Sequence, residues 1–199
     1  MAGKPLPDAA LDQLFRTART YNGYLDKPVS QDQLHAIWEL MKFGPTSANQ
    51  MPARILWLTT PEAKDRLAQY AGSNGDKIRK APVSVIIAMD QNFHEHLPWL
   101  FPHTDAKIWF DGDEKQALRH ASAFRNSTLQ GAYFILAARA LGLDTGPMSG
   151  FNSEAVDEEF FGDELQWKSN FISTLGYGDP ATIFERSPRP DFEVFNRVL

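Results

Sequence analysis

Residues 131–151 read "GAYFILAARALGLDTGPMSGF", and this stretch decides the fold class. Its first part is apolar on nearly every side, which is typical of a helix that is covered all round. Gly142 can end that helix. We therefore predict a central helix from about Asp113 to Leu141, covered by a sheet and, on its remaining side, by a second subunit.

The helix is followed by a glycine-rich segment that contains Gly146-Pro147 and Ser149-Gly150. Glycines at this density let backbone N–H groups point into a shared space, where they can donate to a ring nitrogen or an oxygen. The same residues also suit a plain helix exit and a tight turn. The segment 140–151 therefore indicates either a binding loop or a turn.

The elements around the central helix predict a sheet with helices on both faces. "PVSVIIAM", residues 82–89, is a continuous apolar run typical of a strand buried on both faces. Ser30 and Gln33 form a capping box at the start of one helix, and Thr60-Pro61 starts another. Further strands are predicted at "RILWLTT" and "NFISTLGYG". Asp8 is the predicted N-cap of a helix that ends near Arg19-Thr20, and a short helix is predicted after Ser153.

Composition limits the possible functions. The 199 residues, 43% of them hydrophobic, are enough for one domain spanning 1–199. A net charge of -5 gives no basic field for nucleic acid, and the absence of cysteine excludes disulfides and a thiolate nucleophile. Because the apolar runs are too short to span a bilayer, we expect a soluble, cytoplasmic protein with neither a membrane nor a nucleic-acid partner.

Residues 42–53, "KFGPTSANQMPA", form the second informative loop. A helix stops at Gly44-Pro45, and small polar groups follow at Thr46, Ser47 and Asn49. Such groups hydrogen-bond well and leave room for a flat or anionic ligand. An ordinary Ser/Thr/Asn turn would have the same composition.

Two further polar pairs are candidate ligand contacts. Arg186 and Arg189 suit a phosphate, although a solvated basic pair fits the spacing equally well. Asn74 and Lys77 could meet carbonyl oxygens of a heterocycle, or they belong to a surface turn.

Residues 91–112 combine aromatic residues, three histidines and two prolines without a regular period. This composition predicts a lid over a binding site, with an aromatic minicore as the alternative. His94, His96 and His103 lack a recognisable metal-binding spacing, so we expect no metal site.

Four stretches, "RTYNGYLDKPVS", "KFGPTSANQMPARI", "FRNSTLQGAYFILAARALGLDTGPMSGF" and "GYGDP", together resemble the nitroreductase family of FMN-dependent oxidoreductases. The resemblance covers nearly the whole chain, and it is closest to members that reduce malonic semialdehyde to 3-hydroxypropanoate. It implies an α+β, three-layer α-β-α fold with a central mixed sheet flanked by helices. It also implies an intertwined homodimer with two FMN sites, each built from both chains.

The resemblance assigns the candidate cofactor contacts. By this resemblance, residues 45–49 lie near the flavin ring and ribityl chain, and residues 148–150 lie by N5 and O4. Arg186 and Arg189 hold the phosphate, and Asn74 and Lys77 approach the pyrimidine edge. The implied contacts are Arg19, Thr20, Pro45, Thr46, Ser47, Asn49, Asn74, Lys77, Pro147, Met148, Ser149, Gly150, Arg186 and Arg189.

One departure from the family pattern concerns residues 18–24. The family's first flavin motif has a second basic residue where this chain has Asn22, and Arg19 lies one position from the usual arginine. A neutral Asn22 would stabilise an anionic reduced flavin less, which makes Lys77 the expected cation there.

The implied activity is hydride transfer from NADH or NADPH through flavin N5 to a small acceptor, with ping-pong kinetics. No side chain is firmly predicted to be catalytic, but Arg125, His103 and Arg54 are candidate contacts for an aldehyde that carries a carboxylate. Reduction of malonic semialdehyde is the main hypothesis. The alternatives are a broad nitroaromatic or quinone reductase, a flavin-binding protein without turnover, and a structural dimer without cofactor.

Overall fold

One antiparallel sheet forms the centre of the computed structural model, which describes residues 3–162 and 166–199. The strand order is β1-β2-β4-β3, and each neighbouring pair is antiparallel. The strands are β1 (Ala53–Leu58), β2 (Val83–Asp90), β3 (Asp144–Met148) and β4 (Trp167–Gly176).

Helices pack on both faces of this sheet. Capping sets several of their starts: Ser30 and Gln33 form the predicted capping box, and the Thr60 side chain accepts from the backbone N–H of Ala63. The helices are α1 (Asp8–Leu11), α2 (Gln31–Met41), α3 (Pro61–Ala68), α4 (Gly75–Lys80), α5 (Leu97–Leu100), α6 (Gln116–Ala140), α7 (Ser153–Phe160) and α8 (Phe192–Phe195).

Strand β2 shows why the domain has three layers. All eight of its residues are buried. Val85 and Ile87 join the core cluster formed with α2 and α6, whereas Ile86 and Ala88 join the cluster formed with α3, α4 and α7. This alternation confirms the predicted α-β-α arrangement.

Strand β3 replaces most of the loop expected at residues 140–151. Gly146 and Pro147 are tolerated because β3 is an edge strand. A Cβ at Gly146 would lie 2.8 Å from the carbonyl oxygen of Tyr21, so glycine permits the segment from Thr20 to approach. The resemblance implies a mixed sheet, but the four strands are all antiparallel to their neighbours. Among the described residues, the only parallel pairing is the isolated bridge between Thr20 and Thr145.

The long helix α6 is central, as predicted, but its two halves differ from expectation. Its own chain covers much of the second half, including Phe134 and Ala138. The large exposed apolar side chains of this helix lie before Gly131, at Leu118, Phe124 and Leu129. Among the described residues, no helix is long and apolar enough to cross a membrane.

The N-terminal helix is shorter than predicted. It leaves α-helical geometry at Asp12 and continues as a π-helical turn to Arg16. Asp8 is the first helical residue rather than the cap, and its carboxylate accepts from Arg16 at 2.9 Å. Asp8 therefore anchors a side chain eight residues further along the chain.

Candidate functional site

The loop at residues 45–51 is held in a strained conformation. Ala48 and Asn49 both have φ of 48°, and Met51 has φ of 40°. Residues with side chains occupy this left-handed region at a cost of about 1 to 2 kcal/mol each. Tertiary contacts must therefore hold the loop in place.

Those contacts come from one face of α6. Ser122, Asn126 and Gln130 follow one another at intervals of four residues and are at most 9% exposed. Asn126 Oδ1 accepts from the backbone N–H of Ser47 at 2.8 Å, and Gln130 Oε1 accepts from the backbone N–H of Ala53 at 2.8 Å. We call these three residues the polar ladder.

Two more bonds complete the support of the loop. Ser122 Oγ donates to Gln50 Oε1 at 3.1 Å, and the hydroxyl of Tyr133 donates to the carbonyl oxygen of Pro45 at 2.9 Å. Within the loop, Thr46 Oγ1 accepts from the backbone N–H of Met51 at 3.2 Å. The loop is thus fixed to α6 at its beginning, middle and end.

The side chain of Asn49 reaches the segment that was predicted to be a lid. Its amide nitrogen donates to the carbonyl oxygen of Leu100 at 2.8 Å. Pro45, Ser47 and Asn49 are exposed, and Thr46 is half-buried. The predicted contacts at 45–49 therefore present a polar surface next to α5.

A second group of predicted residues lines a cavity of about 380 Å³. Arg19, Thr20, Arg186 and Arg189 all contribute to its wall, as does Arg139. Arg186 donates to the carbonyl oxygen of Ala18 at 2.9 Å, and Arg19 donates to that of Phe184. We call this space the arginine cavity.

Charge is poorly compensated in the arginine cavity. No ion pair involving Arg19, Arg139, Arg186 or Arg189 occurs within residues 3–162 and 166–199, although Glu185 also lines the space. The guanidinium groups donate instead to backbone carbonyls. Such a wall suits a small dianion.

Burial perturbs two groups near this cavity. It lowers the pKa of Arg139, with Arg186 acting in the same direction and Asp144 opposing it. Burial also raises the pKa of Asp144, although a hydrogen bond from the backbone N–H of Gly178 and the charge of Arg139 act against this shift.

A third set of predicted contacts lies at the end of β3. The Asn74 side chain donates to the carbonyl oxygen of Gly150 at 3.0 Å, which joins the turn before α4 to the end of the glycine-rich segment. Pro147 and Met148 lie within β3, and Met148 packs against the core beside α3, α4 and α7. Ser149 and Gly150 are exposed beyond the strand.

Lys77 is the cation expected near the reduced flavin, and Asn22 stands where the family has a second basic residue. Lys77 is half-buried in α4, and its ammonium group has no partner in the described part of the chain. Asn22 donates its amide to the carbonyl oxygen of Thr182 at 3.0 Å. Asn22 therefore serves the connection to the C-terminal segment.

The three candidate substrate contacts have different surroundings. Arg125 and His103 are exposed, and the His103 ring stands edge-on to Phe101 with a centroid distance of 5.1 Å. Arg54 forms an ion pair with the buried Asp90 and also donates to the carbonyl oxygen of Met51. Arg54 is therefore committed to supporting the strained loop.

The segment 91–112 combines a small core with exposed aromatic residues. Phe93, Leu97 and Phe110 are buried together. Trp99, in contrast, is 71% exposed and Trp109 is 46% exposed. The structure thus contains an aromatic minicore, and the role of the exposed indoles as a lid stays a prediction.

Within one chain the predicted cofactor contacts form separate groups. Across residues 3–162 and 166–199, no hydrogen bond joins residues 45–49 to the arginine cavity or to Gly150. Thr20 connects the other two groups, because it lines the cavity and pairs with β3.

Sequence reasoning missed the polar ladder and Arg139. A signal existed for the ladder, since Ser122, Asn126 and Gln130 recur every four positions, the spacing of residues on one face of a helix. Arg139 gave no local signal, because its position in the last turn of a helix is ordinary for a basic residue.

Comparisons with known proteins agree with this architecture. A model described as "Nitroreductase family" matches residues 15–177. A relative from Stenotrophomonas maltophilia, named "Putative NADH dehydrogenase/NAD(P)H nitroreductase", is 57% identical over 194 residues, with 97% of each chain covered. A relative of the same description from Burkholderia lata is 57% identical, with 97% of this chain and 98% of the relative covered.

A solved structure from Exiguobacterium sibiricum, described as a "putative nitroreductase in complex with FMN", shares the fold. The TM-score is 0.82 at 19% identity, with 95% of this chain and 96% of that chain covered. The chain therefore belongs to the nitroreductase family, the family of FMN-dependent oxidoreductases that its sequence resembles.

Proposed function

We propose that this protein binds FMN and transfers hydride from NADH or NADPH to malonic semialdehyde, giving 3-hydroxypropanoate. The observation that carries the cofactor assignment is the arginine cavity. Its cations lack carboxylate partners among the described residues, and its volume of about 380 Å³ suits a phosphate with part of a ribityl chain.

Two further groups of contacts fit other parts of FMN. Asn74 and Lys77 lie on or beside α4 and offer an amide and a cation for the pyrimidine edge. Ser149 and Gly150 are exposed at the end of β3, where backbone N–H groups are available to the ring. When bound, FMN supplies a site that accepts a hydride from nicotinamide and gives it to the acceptor.

We infer that residues 45–49 complete the site of a second copy, since none of them lines the arginine cavity of their own chain or forms a hydrogen bond with a residue of its wall. Exposed apolar side chains support a homodimer. They occur at and just after the end of α2, in the part of α6 before Gly131 and in the C-terminal segment: Leu40, Phe43, Leu118, Phe124, Leu129, Phe184, Phe195 and Val198.

In this arrangement the protein orients the reactants and controls charge. Lys77 stabilises negative charge that develops at the pyrimidine edge, because it has no carboxylate partner of its own among the described residues. The polar ladder keeps the loop at 45–51 in place, and the exposed indoles of Trp99 and Trp109 limit access of water to the ring.

The choice of a semialdehyde depends on the sequence resemblance and on two exposed residues. Arg125 is free to bind the substrate carboxylate, since no ion pair engages it within the described ranges, and His103 can deliver a proton to the aldehyde oxygen. Reduction of the aldehyde needs one hydride and one proton. The nicotinamide supplies the hydride through the flavin, and His103 would supply the proton while Arg125 holds the carboxylate.

A broad nitroaromatic or quinone reductase is the second candidate. The names of the curated relatives favour it, and so do the exposed faces of Trp99 and Trp109, which could stack on an aromatic acceptor. The two candidates share FMN and the nicotinamide donor and differ in the acceptor.

A substrate panel on the reduced protein tests the proposal. The protein is loaded with FMN and reduced anaerobically with NADH and, separately, NADPH. Reoxidation of the flavin is then followed after mixing with malonic semialdehyde, a nitroaromatic compound or a quinone. We expect the semialdehyde to give the highest kcat/KM, with 3-hydroxypropanoate as product.

The other outcomes identify the alternatives. Faster reoxidation by nitroaromatics or quinones would select the second candidate. FMN that binds but is reduced by neither nucleotide would indicate a flavin-binding protein without turnover. A protein that binds no FMN would contradict the cofactor assignment and favour a structural dimer.

A further inference from the structure

We propose that Arg139 is a fourth phosphate-binding residue of the arginine cavity, in addition to Arg19, Arg186 and Arg189. This inference rests on the proposed FMN function. It assigns to the last turn of α6 a direct part in recognising a phosphate monoester.

Position is the first argument. Arg139 lines the arginine cavity together with the three predicted arginines, although it comes from a different element. Arg19 directly precedes Thr20, the residue that pairs with Thr145 of β3. Arg186 and Arg189 lie in the C-terminal segment, whereas Arg139 lies in α6. A dianion in this space would therefore be contacted from three sides.

Charge is the second argument. Four arginines outside the cavity, Arg16, Arg54, Arg66 and Arg79, each form an ion pair with a carboxylate, whereas Arg119 and Arg125 form none within the described residues. The arginines of the cavity also form none within those residues, although the charge of Asp144 acts on Arg139 from beyond ion-pair distance. Because guanidinium groups that share a cavity repel one another, a bound dianion would relieve the repulsion that Arg139 and Arg186 exert on each other.

The third argument concerns how the side chain is held. Arg139 Nη1 donates to the carbonyl oxygen of Leu14 at 2.9 Å, so the N-terminal segment fixes the guanidinium. Its Nε is buried and has no acceptor within the described part of the chain. Nη2 forms no hydrogen bond within the described part of the chain, so this nitrogen is the donor available to an anion in the cavity.

Arg139 also has a candidate structural role that the test must separate. Its backbone carbonyl accepts from Gln13 at 2.6 Å, and its side chain meets Leu14, so the residue ties α6 to the first helical segment. A purely structural tie would affect any bound flavin alike. A phosphate contact would affect FMN alone.

The experiment compares FMN with riboflavin, which has the same ring and ribityl chain but no phosphate. Apo-protein is titrated with each flavin, and quenching of flavin fluorescence gives the affinity. The variants are Arg139→Met, Arg139→Gln and Arg139→Lys. The control is Arg66→Met, which removes an arginine from a surface ion pair with Glu159.

We expect Arg139→Met and Arg139→Gln to weaken FMN at least tenfold while riboflavin affinity stays within about twofold. Arg139→Lys should recover most of the FMN affinity, and Arg66→Met should match the unchanged protein. Arg139→Gln keeps a donor for Leu14, so it decides the matter if the methionine variant does not fold.

Two results would overturn the assignment while leaving the proposed function intact. One is equal weakening of FMN and riboflavin, which indicates the structural tie. The other is unchanged FMN affinity in Arg139→Gln. If the unsubstituted protein binds neither flavin, the proposed function itself fails, and the Arg139 assignment fails with it.

Discussion

The backbone N–H of Ser47 donates to Oδ1 of Asn126 at 2.8 Å, across 79 residues of sequence. Asn126 is 2% exposed and also donates to the carbonyl oxygen of Ser122 in its own helix. Its amide is therefore used on both sides. One buried asparagine thus connects the central helix to the loop that contains the positive-φ residues Ala48 and Asn49.

We predict that Asn126→Ala releases this loop and weakens FMN about tenfold in a protein that still folds. Removal of the acceptor leaves the N–H of Ser47 without a partner and removes support from Ala48 and Asn49. Fluorescence titration of the apo-protein measures the affinity. Gln116→Ala, at an exposed position of the same helix, is the control.

A second substitution tests whether backbone strain is the cause. Ala48→Gly accepts a φ of 48° more readily, so adding it to Asn126→Ala should restore part of the FMN affinity. If the glycine restores nothing, the asparagine acts in another way.

The helices and strands were largely predictable because each depends on a local pattern. The capping box at Ser30 and the apolar run of β2 have the predicted roles. The strand β3 was not predicted, since Gly146 and Pro147 have low strand propensity and are tolerated there by virtue of the edge position.

The site was predictable only where residues lie close in sequence. Arg186 and Arg189 form a visible pair, whereas Arg139 joins them through the packing of α6 near the C-terminal segment. Likewise, the sequence shows that Thr46, Ser47 and Asn49 are polar. It does not show that buried side chains 79 residues away hold them in a strained conformation.

The phosphate prediction concerns the C-terminal pair. Arg186→Ala with Arg189→Ala should weaken FMN at least a hundredfold, because each arginine loses a charge-assisted contact worth roughly 1.5 kcal/mol or more. Titration of the apo-protein gives the affinity, and sedimentation velocity should show an unchanged assembly. Full FMN affinity in this variant would place the phosphate elsewhere.

The dimer prediction concerns the apolar end of α2. Leu40 is 47% exposed and Phe43 is 81% exposed, so a partner surface is expected to cover them. Leu40→Glu with Phe43→Glu should shift the protein towards monomer at submicromolar concentration and lower its FMN content. Analytical ultracentrifugation measures the assembly, with Glu62→Lys at an exposed position of α3 as the charge control.

Two results would argue against this interface. An unchanged protein that is a folded, FMN-loaded monomer at submicromolar concentration would contradict the dimer itself. A double variant that remains dimeric would place the contact on another surface.

The pH prediction concerns His94. Burial lowers its pKa below the ordinary value of 6.5, with Arg119 and Lys107 acting in the same direction and Glu95 and Asp111 opposing them. The unfolded chain therefore binds this proton more readily than the folded chain. The resulting stability is present above about pH 6.5 and is lost as pH falls towards the folded pKa.

Replacement by a residue that does not titrate should remove this part of the acid sensitivity. In chemical denaturation between about pH 7.5 and 5.5, His94→Leu should lose less unfolding free energy than the unchanged protein. His120→Gln, at an exposed position of α6, should keep the original pH dependence. An identical pH slope in the His94 variant would show that another group is responsible.

The last prediction concerns Trp99, whose indole is 71% exposed at the end of α5, beside the bond from Asn49 to Leu100. Because the indole contributes little to the buried core, Trp99→Ala should leave FMN content and Tm nearly unchanged. If Trp99 contacts the acceptor, the same change should alter the ratio of kcat/KM between a small aldehyde and a nitroaromatic compound severalfold. Ile108→Ala, at a 57% exposed position of the same segment, should leave that ratio unchanged, whereas Phe101→Ala should lower Tm because Phe101 packs against the minicore. A ratio that is the same with and without the indole, measured by single-turnover reoxidation, would show that this segment does not select the acceptor through Trp99.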